Sequence, residues 1–166
     1  MIRSCLVLVL LSTWNCYGQS TSSSRAAAEY YLAAYAQHYG VPLDFARAVV
    51  EQESGWQTCV RSAKGAVGIM QLMPETAIRL GVRNRCDVEQ NISGGVRYLA
   101  WLMRRFHGEL RLVAAAYYAG ERTVERRGLA YSNPDVVVYV ASIRQRVEQQ
   151  RRIWNAPSKR APRRAQ

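Results

Sequence analysis

Ile92, Val96, Leu99, Met103 and Phe106 recur at spacings of 4, 3, 4 and 3, and Val136, Val140, Ile143 and Val147 repeat that rhythm near the end of the chain. Apolar residues at this period line one face of a helix, and such a face has to be covered by other elements. No alternating apolar and polar run bounded by turn signals offers a sheet to cover it, and no internal repeat is found. The two stripes therefore predict an all-α domain.

The remaining elements fit that prediction. Ser24 can cap a helix running from Ala26 through Tyr35 and ended by Gly40, and a second starts near Pro42 and runs through Phe45, Ala48 and Val49 to about Gln52. Residues 59–73, with Gly65 and Gly68, read as an irregular segment. Pro74 at a first helical position and Gly81 just past the end bracket a short helix. Leu110 to Ala119 is a mostly apolar helix suited to the middle of a domain, and Asn133-Pro134-Asp135 opens the last one. With 166 residues, 49% of them hydrophobic, the chain can build one core and not two.

The two ends differ from the middle. Cys5 to Leu11 is an apolar run too short for a membrane anchor but suited to a secretory signal, with Cys16 and Gly18 as the small residues ahead of a cut after Gly18. The alternative of lipidation at Cys16 is disfavoured by Trp14-Asn15 before it. Export would leave Cys59 and Cys86 as a pair, and in an oxidising compartment, with no Cys-x-x-Cys or His cluster nearby, such a pair predicts a disulfide. The isolated His38 and His107 read as surface residues near helix ends. The formal net charge is +11, which favours anionic partners. Arg151, Arg152, Lys159, Arg160, Arg163 and Arg164 concentrate that charge in a C-terminal arm that Pro157 and Pro162 break. The division expected is a signal peptide at 1–18, a flexible mature start at 19–25, one domain at 26–155 and a disordered basic tail at 156–166.

Three clusters could carry chemistry. Glu53, in Glu51-Gln52-Glu53-Ser54-Gly55-Trp56, lies where a helical pattern runs into Ser-Gly beside an aromatic ring. A carboxyl placed there can face a groove while apolar neighbours shield it and keep it protonated near neutrality. Glu51 cannot be its partner, because two residues along a helix turn by about 200°. The segment from Lys64 to Pro74 has glycines for close backbone approach and Gln71 as donor and acceptor; it lacks the Gly-Lys-Ser/Thr ending and preceding strand of a nucleotide loop. Tyr117 and Tyr118 close an apolar helix and could present phenols to a sugar, or stack in the core.

Taken in order, Glu-Ser-Gly-Trp, Gly-Ile-Met-Gln-Leu-Met-Pro, Asn91-Ile92 with Gly95 and Tyr98-Leu99, and Ala-Tyr-Tyr-Ala-Gly resemble the soluble lytic transglycosylase domain of glycoside hydrolase family 23 over about residues 26–150. The resemblance implies a lysozyme-like helical domain, of the goose-type lysozyme and transglycosylase kind, with a substrate groove. It matches Glu53 to the catalytic acid/base, Ser54 to its adjoining hydroxyl, Met70 and Gln71 to a substrate-groove pair, and Tyr117 to the tyrosine of an Ala-Tyr-Asn motif. Tyr118 stands where that motif has Asn, and Tyr139 falls near another active-site tyrosine. Implied too are cleavage of the bond between N-acetylmuramic acid and N-acetylglucosamine with 1,6-anhydro ring formation, and the absence of any cofactor or metal. The expected partners are peptidoglycan glycan strands and components of a secretion, conjugation or pilus apparatus, with no nucleic acid, for a periplasmic monomer. The rival readings are a goose-type-lysozyme-like muramidase and a weakly active peptidoglycan-binding scaffold.

Overall fold

The computed structural model describes residues 16–128 and 133–155. The apolar stretch of the expected signal peptide and the tail at 156–166 lie outside them. Within them the elements are α1 (Cys16–Tyr39), α2 (Leu43–Ser54), α3 (Pro74–Arg79), α4 (Val88–Arg105), α5 (Leu110–Ala119), α6 (Glu121–Arg127) and α7 (Pro134–Asn155). The described residues contain no strand, only isolated bridges pairing Val67 with Arg61 and with Leu72. None of the described helices is long and apolar enough to cross a membrane.

The stripes do what their spacing predicts. Ile92, Val96 and Leu99 of α4 are fully buried and Phe106 caps its end. Val136, Ile143 and Val147 turn one face of α7 inward together with Tyr139, and Met103 and Val140 are half-buried against the same core. α4 packs on α1, whose Ala28, Leu32 and Ala36 are all fully buried, while α7 packs on α2 and α5. Asp87 caps α4 by accepting from the Gln90 amide at 2.8 Å, satisfying one of the free donors of a helix start.

Three differences from the sequence-based expectation have local causes. α1 begins at Cys16, eight residues before Ser24, so residues 19–25, expected as a flexible mature start, continue the helix. Extending a helix from an alanine-rich nucleus adds one hydrogen bond per residue ordered, without a new nucleation step. α7 runs through Asn155, so Arg151 and Arg152 belong to it and not to a disordered arm; Arg151 donates to Asp44 Oδ2 at 2.5 Å. α6 has no counterpart in the sequence-based reading, because it is seven residues long and buries only Val124, leaving no period to detect.

Cys59 and Cys86 form a disulfide, with Cα atoms 4.6 Å apart, that ties the irregular segment after α2 to the start of α4. In the chain-entropy picture, closing a loop with a sequence separation of 27 stabilises the fold by about 3 to 4 kcal/mol. The Cys59→Ser, Cys86→Ser double variant should lose about that much in urea unfolding. It should also lose the response of the unfolding midpoint to reductant that the native chain shows.

Candidate active site

α2 ends at the site. Gly55, in the left-handed region at φ 56°, donates its amide to the Glu51 carbonyl and closes the helix, so Glu53 sits in its last turn. Ser54 is buried and its hydroxyl donates to the Ile69 carbonyl at 2.7 Å, pinning the irregular segment against the helix end. Trp56 and Gln71 hold φ of 69° and 47°, uncommon for residues other than glycine and found where surrounding contacts over-determine the backbone. For Gln71 those contacts are its own: Nε2 donates to the Val60 carbonyl at 3.0 Å and the Gly68 carbonyl at 2.8 Å. Trp56 is buried beneath the Arg25 guanidinium.

Asn91 braces the segment from the other side. It is fully buried, accepts from the Met70 amide at 2.8 Å, and donates to the carbonyls of Val67 at 3.0 Å and Arg85 at 2.8 Å. Two glycines permit this approach. A Cβ on Gly68, at φ +91°, would stand 2.1 Å from Asn91 Nδ2, and one on Gly95 would stand 2.3 Å from Met70 Sδ.

Glu53 occupies the point these contacts define. Burial is the larger influence on its carboxyl and raises its pKa from the ordinary 4.5 to about 7; the hydrogen bond from Tyr139 opposes it. Tyr139 Oη donates to Glu53 Oε1 at 2.5 Å, which leaves Oε2 as the oxygen suited to carry the proton of the neutral acid. Burial and the nearby Glu53 push the phenols of both Tyr117 and Tyr139 well above their ordinary range, which keeps them neutral donors. Tyr117 donates to the Met70 carbonyl at 2.7 Å, joining α5 to the braced segment. Tyr118, 44% exposed, lays its ring 4.7 Å from that of Tyr139.

The residues singled out from sequence are thus brought together around Glu53, but they do different jobs. Met70 is fully buried with its sulfur against Gly95, and Ser54 is buried with its hydroxyl engaged by the main chain, so both shape the site. Gln71 is half-buried and Tyr118 is open to solvent. Glu51 is turned away and lies 3.9 Å from Arg146. The brace at Asn91 was not read from sequence as a structural residue. Its signal was a polar residue on the same α4 face as Gly95, Tyr98 and Leu102. Among the described residues no three His, Cys, Asp or Glu side chains are grouped to hold a metal.

Removing Tyr139 Oη should move the acid further from its ordinary range, because the bond it makes favours the charged carboxylate. In Tyr139→Phe the high-pH limb of the rate profile is expected at higher pH than in the native chain. A limb that stays in place or moves to lower pH would mean that the phenol does not control the acid.

The chain is similar in sequence and fold to several known proteins. The family model described as the transglycosylase SLT domain matches residues 30–135. The membrane-bound lytic murein transglycosylase F of Pseudomonas fluorescens (strain Pf0-1) is 34% identical over 131 residues, covering 73% of this chain and 27% of that protein. A transglycosylase F 2 of Alkalilimnicola ehrlichii is 48% identical over 60 residues, 36% of this chain and 13% of that protein. Among solved structures, an inactive mutant of lytic transglycosylase Slt from Pseudomonas aeruginosa superimposes with a TM-score of 0.67 at 26% identity, over 77% of this chain and 24% of that one. The 70 kDa soluble lytic transglycosylase of Escherichia coli gives 0.66 at 25% identity, over 75% and 24%. The chain spans about a quarter or less of the length of these relatives, and its helices form their lysozyme-like fold.

Proposed function

The chain belongs to the transglycosylase SLT domain family, and from that premise we propose that it is a lytic transglycosylase that cleaves peptidoglycan glycan strands between N-acetylmuramic acid and N-acetylglucosamine. The observation that carries the reading is Glu53. It is a single carboxyl, raised to about 7 by burial and oriented by Tyr139, and no second carboxylate among the described residues contributes to its shift.

One acid suffices for an internal cyclisation. Protonated Glu53 gives its proton to the glycosidic oxygen as the bond to the muramoyl C1 breaks. The substrate's own 2-acetamido group stabilises the oxocarbenium-like centre. Glu53, now a base, takes the proton of the muramoyl 6-hydroxyl as that oxygen closes the 1,6-anhydro ring, and the carboxyl is restored to its starting state. A pKa near 7 suits both halves, since the group has to lose and regain the same proton at neutral pH. Tyr139 keeps Oε1 engaged, so the transferable proton stays on the other oxygen. In this reading Tyr118, whose exposed ring lies against that of Tyr139, meets the strand beside the scissile bond, and Gln71 offers it the amide oxygen left by its two main-chain bonds.

Substrate and compartment go together in this proposal. The apolar stretch from Cys5 directs export, the disulfide matches an oxidising periplasm, and the relatives named membrane-bound place their own domains in the envelope. There the protein acts as a monomer that opens the wall locally for a secretion, conjugation or pilus apparatus.

Digestion of purified sacculi followed by mass spectrometry of the soluble products tests the reading. Anhydromuropeptides, one water lighter than the products of hydrolysis, are expected. Reducing-end products would overturn it in favour of a hydrolase, and an absence of soluble products in favour of a binding role.

A further inference from the structure

Outside the surroundings of Glu53 a second aromatic cluster stands half in solvent. Trp101, on α4, is 38% exposed, although a ring of that size on a helix with a well-formed apolar face has the option of turning inward. It is held in place from several sides. Its ring stacks on that of Tyr98 at 6.0 Å with an interplanar angle of 14°, and the Arg79 guanidinium lies 5.3 Å from the Tyr98 centroid and 5.7 Å from the Trp101 centroid. Glu121 locks the group: one carboxylate oxygen accepts from Tyr98 Oη at 3.0 Å and the other from Arg79 Nη1 at 3.0 Å. Three side chains, from α3, α4 and α6, thus hold one exposed indole.

This cluster is continuous with the site. Tyr98 touches Tyr117 at 5.5 Å between centroids, Tyr117 donates to the Met70 carbonyl, and Glu121 follows directly on the Ala119-Gly120 turn that ends the helix bearing Tyr117 and Tyr118. Two ring-to-ring steps of 5.5 and 6.0 Å, through Tyr98, therefore lead from Tyr117 to Trp101. A rigid aromatic face with a charged, partly exposed edge has the composition of a carbohydrate subsite. The part of the flat ring that Arg79 leaves open covers the C–H face of a pyranose, and the guanidinium donors not engaged by Glu121 meet its hydroxyls or acetamido carbonyl.

We infer that Trp101, set against Tyr98 with the Arg79 guanidinium over both rings and anchored by Glu121, is a distal subsite that stacks a 2-acetamido pyranose of the glycan strand, separated from the scissile bond by the Tyr117–Tyr98 pair. The inference rests on the reading of the chain as a glycan-cleaving enzyme and adds a second point of grip to it. Its consequence is a preference for long strands: oligosaccharides that reach Trp101 bind more tightly than those confined to the surroundings of Glu53.

The test uses the full chain carrying Glu53→Gln, so that the sugar is not consumed, and measures by calorimetry the affinity for β-1,4-linked N-acetylglucosamine dimer and pentamer. The pentamer is expected to bind more tightly than the dimer. Adding Trp101→Ala should weaken pentamer binding by about tenfold, the loss of one good stacking contact, and abolish the advantage of length; Trp101→Phe should restore most of it. The melting midpoint of each variant shows that the domain is folded. The inference is overturned by a pentamer that binds no better than the dimer, or by Trp101→Ala binding the pentamer as tightly as its parent. Anhydromuropeptide release from sacculi by the native chain is scored separately. Its absence would overturn the enzymatic reading and this subsite with it, whereas its presence alongside an unaffected Trp101→Ala would overturn the subsite alone.

Discussion

Glu53→Gln should reduce turnover of purified sacculi by at least about a hundredfold, the lower end of what a positioned acid/base contributes. The amide is nearly isosteric and can still accept from Tyr139, but it has no proton of the right acidity to give. The same substitution should make the domain more stable, and the direction follows from the shifted acid. Its pKa in the folded chain, about 7, lies above the ordinary 4.5, so the folded state binds the proton more tightly than the unfolded one. The stability this contributes is fully present below pH 4.5 and is lost as pH rises through 7, where a buried carboxylate has to be charged. Glutamine has no such dependence. At pH 8 the variant should exceed the native chain by on the order of 2 kcal/mol, and at pH 4 the two should differ little. Thermal unfolding at both pH values checks this. Equal gains at the two pH values would mean that the acid is not raised in the folded chain, and near-normal turnover would remove Glu53 from the chemistry.

Asn91→Ala should have the largest effect on folding among substitutions away from the acid. Its amide makes three hydrogen bonds in a fully buried position, to Met70, Val67 and Arg85. Truncation leaves a buried amide and carbonyl without their partner and a void beside Gly68, for a combined cost of about 3 to 5 kcal/mol. The midpoint of thermal unfolding should fall by roughly 10 °C. Turnover should fall as well, even at temperatures where the variant is folded, because the Met70 carbonyl that receives Tyr117 and the Ile69 carbonyl that receives Ser54 both belong to the segment Asn91 holds. Asn91→Asp separates the bonds. It retains an acceptor for the Met70 amide but turns a carboxylate oxygen toward two carbonyls, so it should rescue little. A stable Asn91→Asp with full turnover would show that the acceptor alone fixes the segment.

The long elements were legible because burial imposes a period. A helix that faces a core on one side has to place apolar residues three and four apart, and α4 and α7 carry that record in Ile92, Val96 and Leu99 and in Val136, Ile143 and Val147. α6 left no such record, since it buries a single valine, and the start of α1 was misplaced because propagation from alanines does not need the Ser24 cap. The disulfide was legible for a different reason: two cysteines without a metal motif nearby, in a chain expected from its sequence to be exported, have few other uses.

The candidate site divides in the same way. Glu53 at a helix end beside Ser-Gly-Trp is a local feature, written in consecutive residues, as are the glycines that let Asn91 and Met70 come close. So the sequence by itself determined the helical class, the position of the acid and the loop that had to be irregular. Only the tertiary structure decided what that acid is: Tyr139 reaches it from 86 residues away, Tyr117 meets the Met70 carbonyl across 47, and Asn91 reaches Met70 across 21. The same structure turned Ser54 and Met70 inward and left Trp101 facing solvent, although by residue type the methionine and tryptophan are equally suited to a core or a groove. The physical reason is that a pKa depends on desolvation and on the donors within a few ångströms, and both are set by which helices pack together. A local pattern records which face of a helix is buried, not what it is buried against.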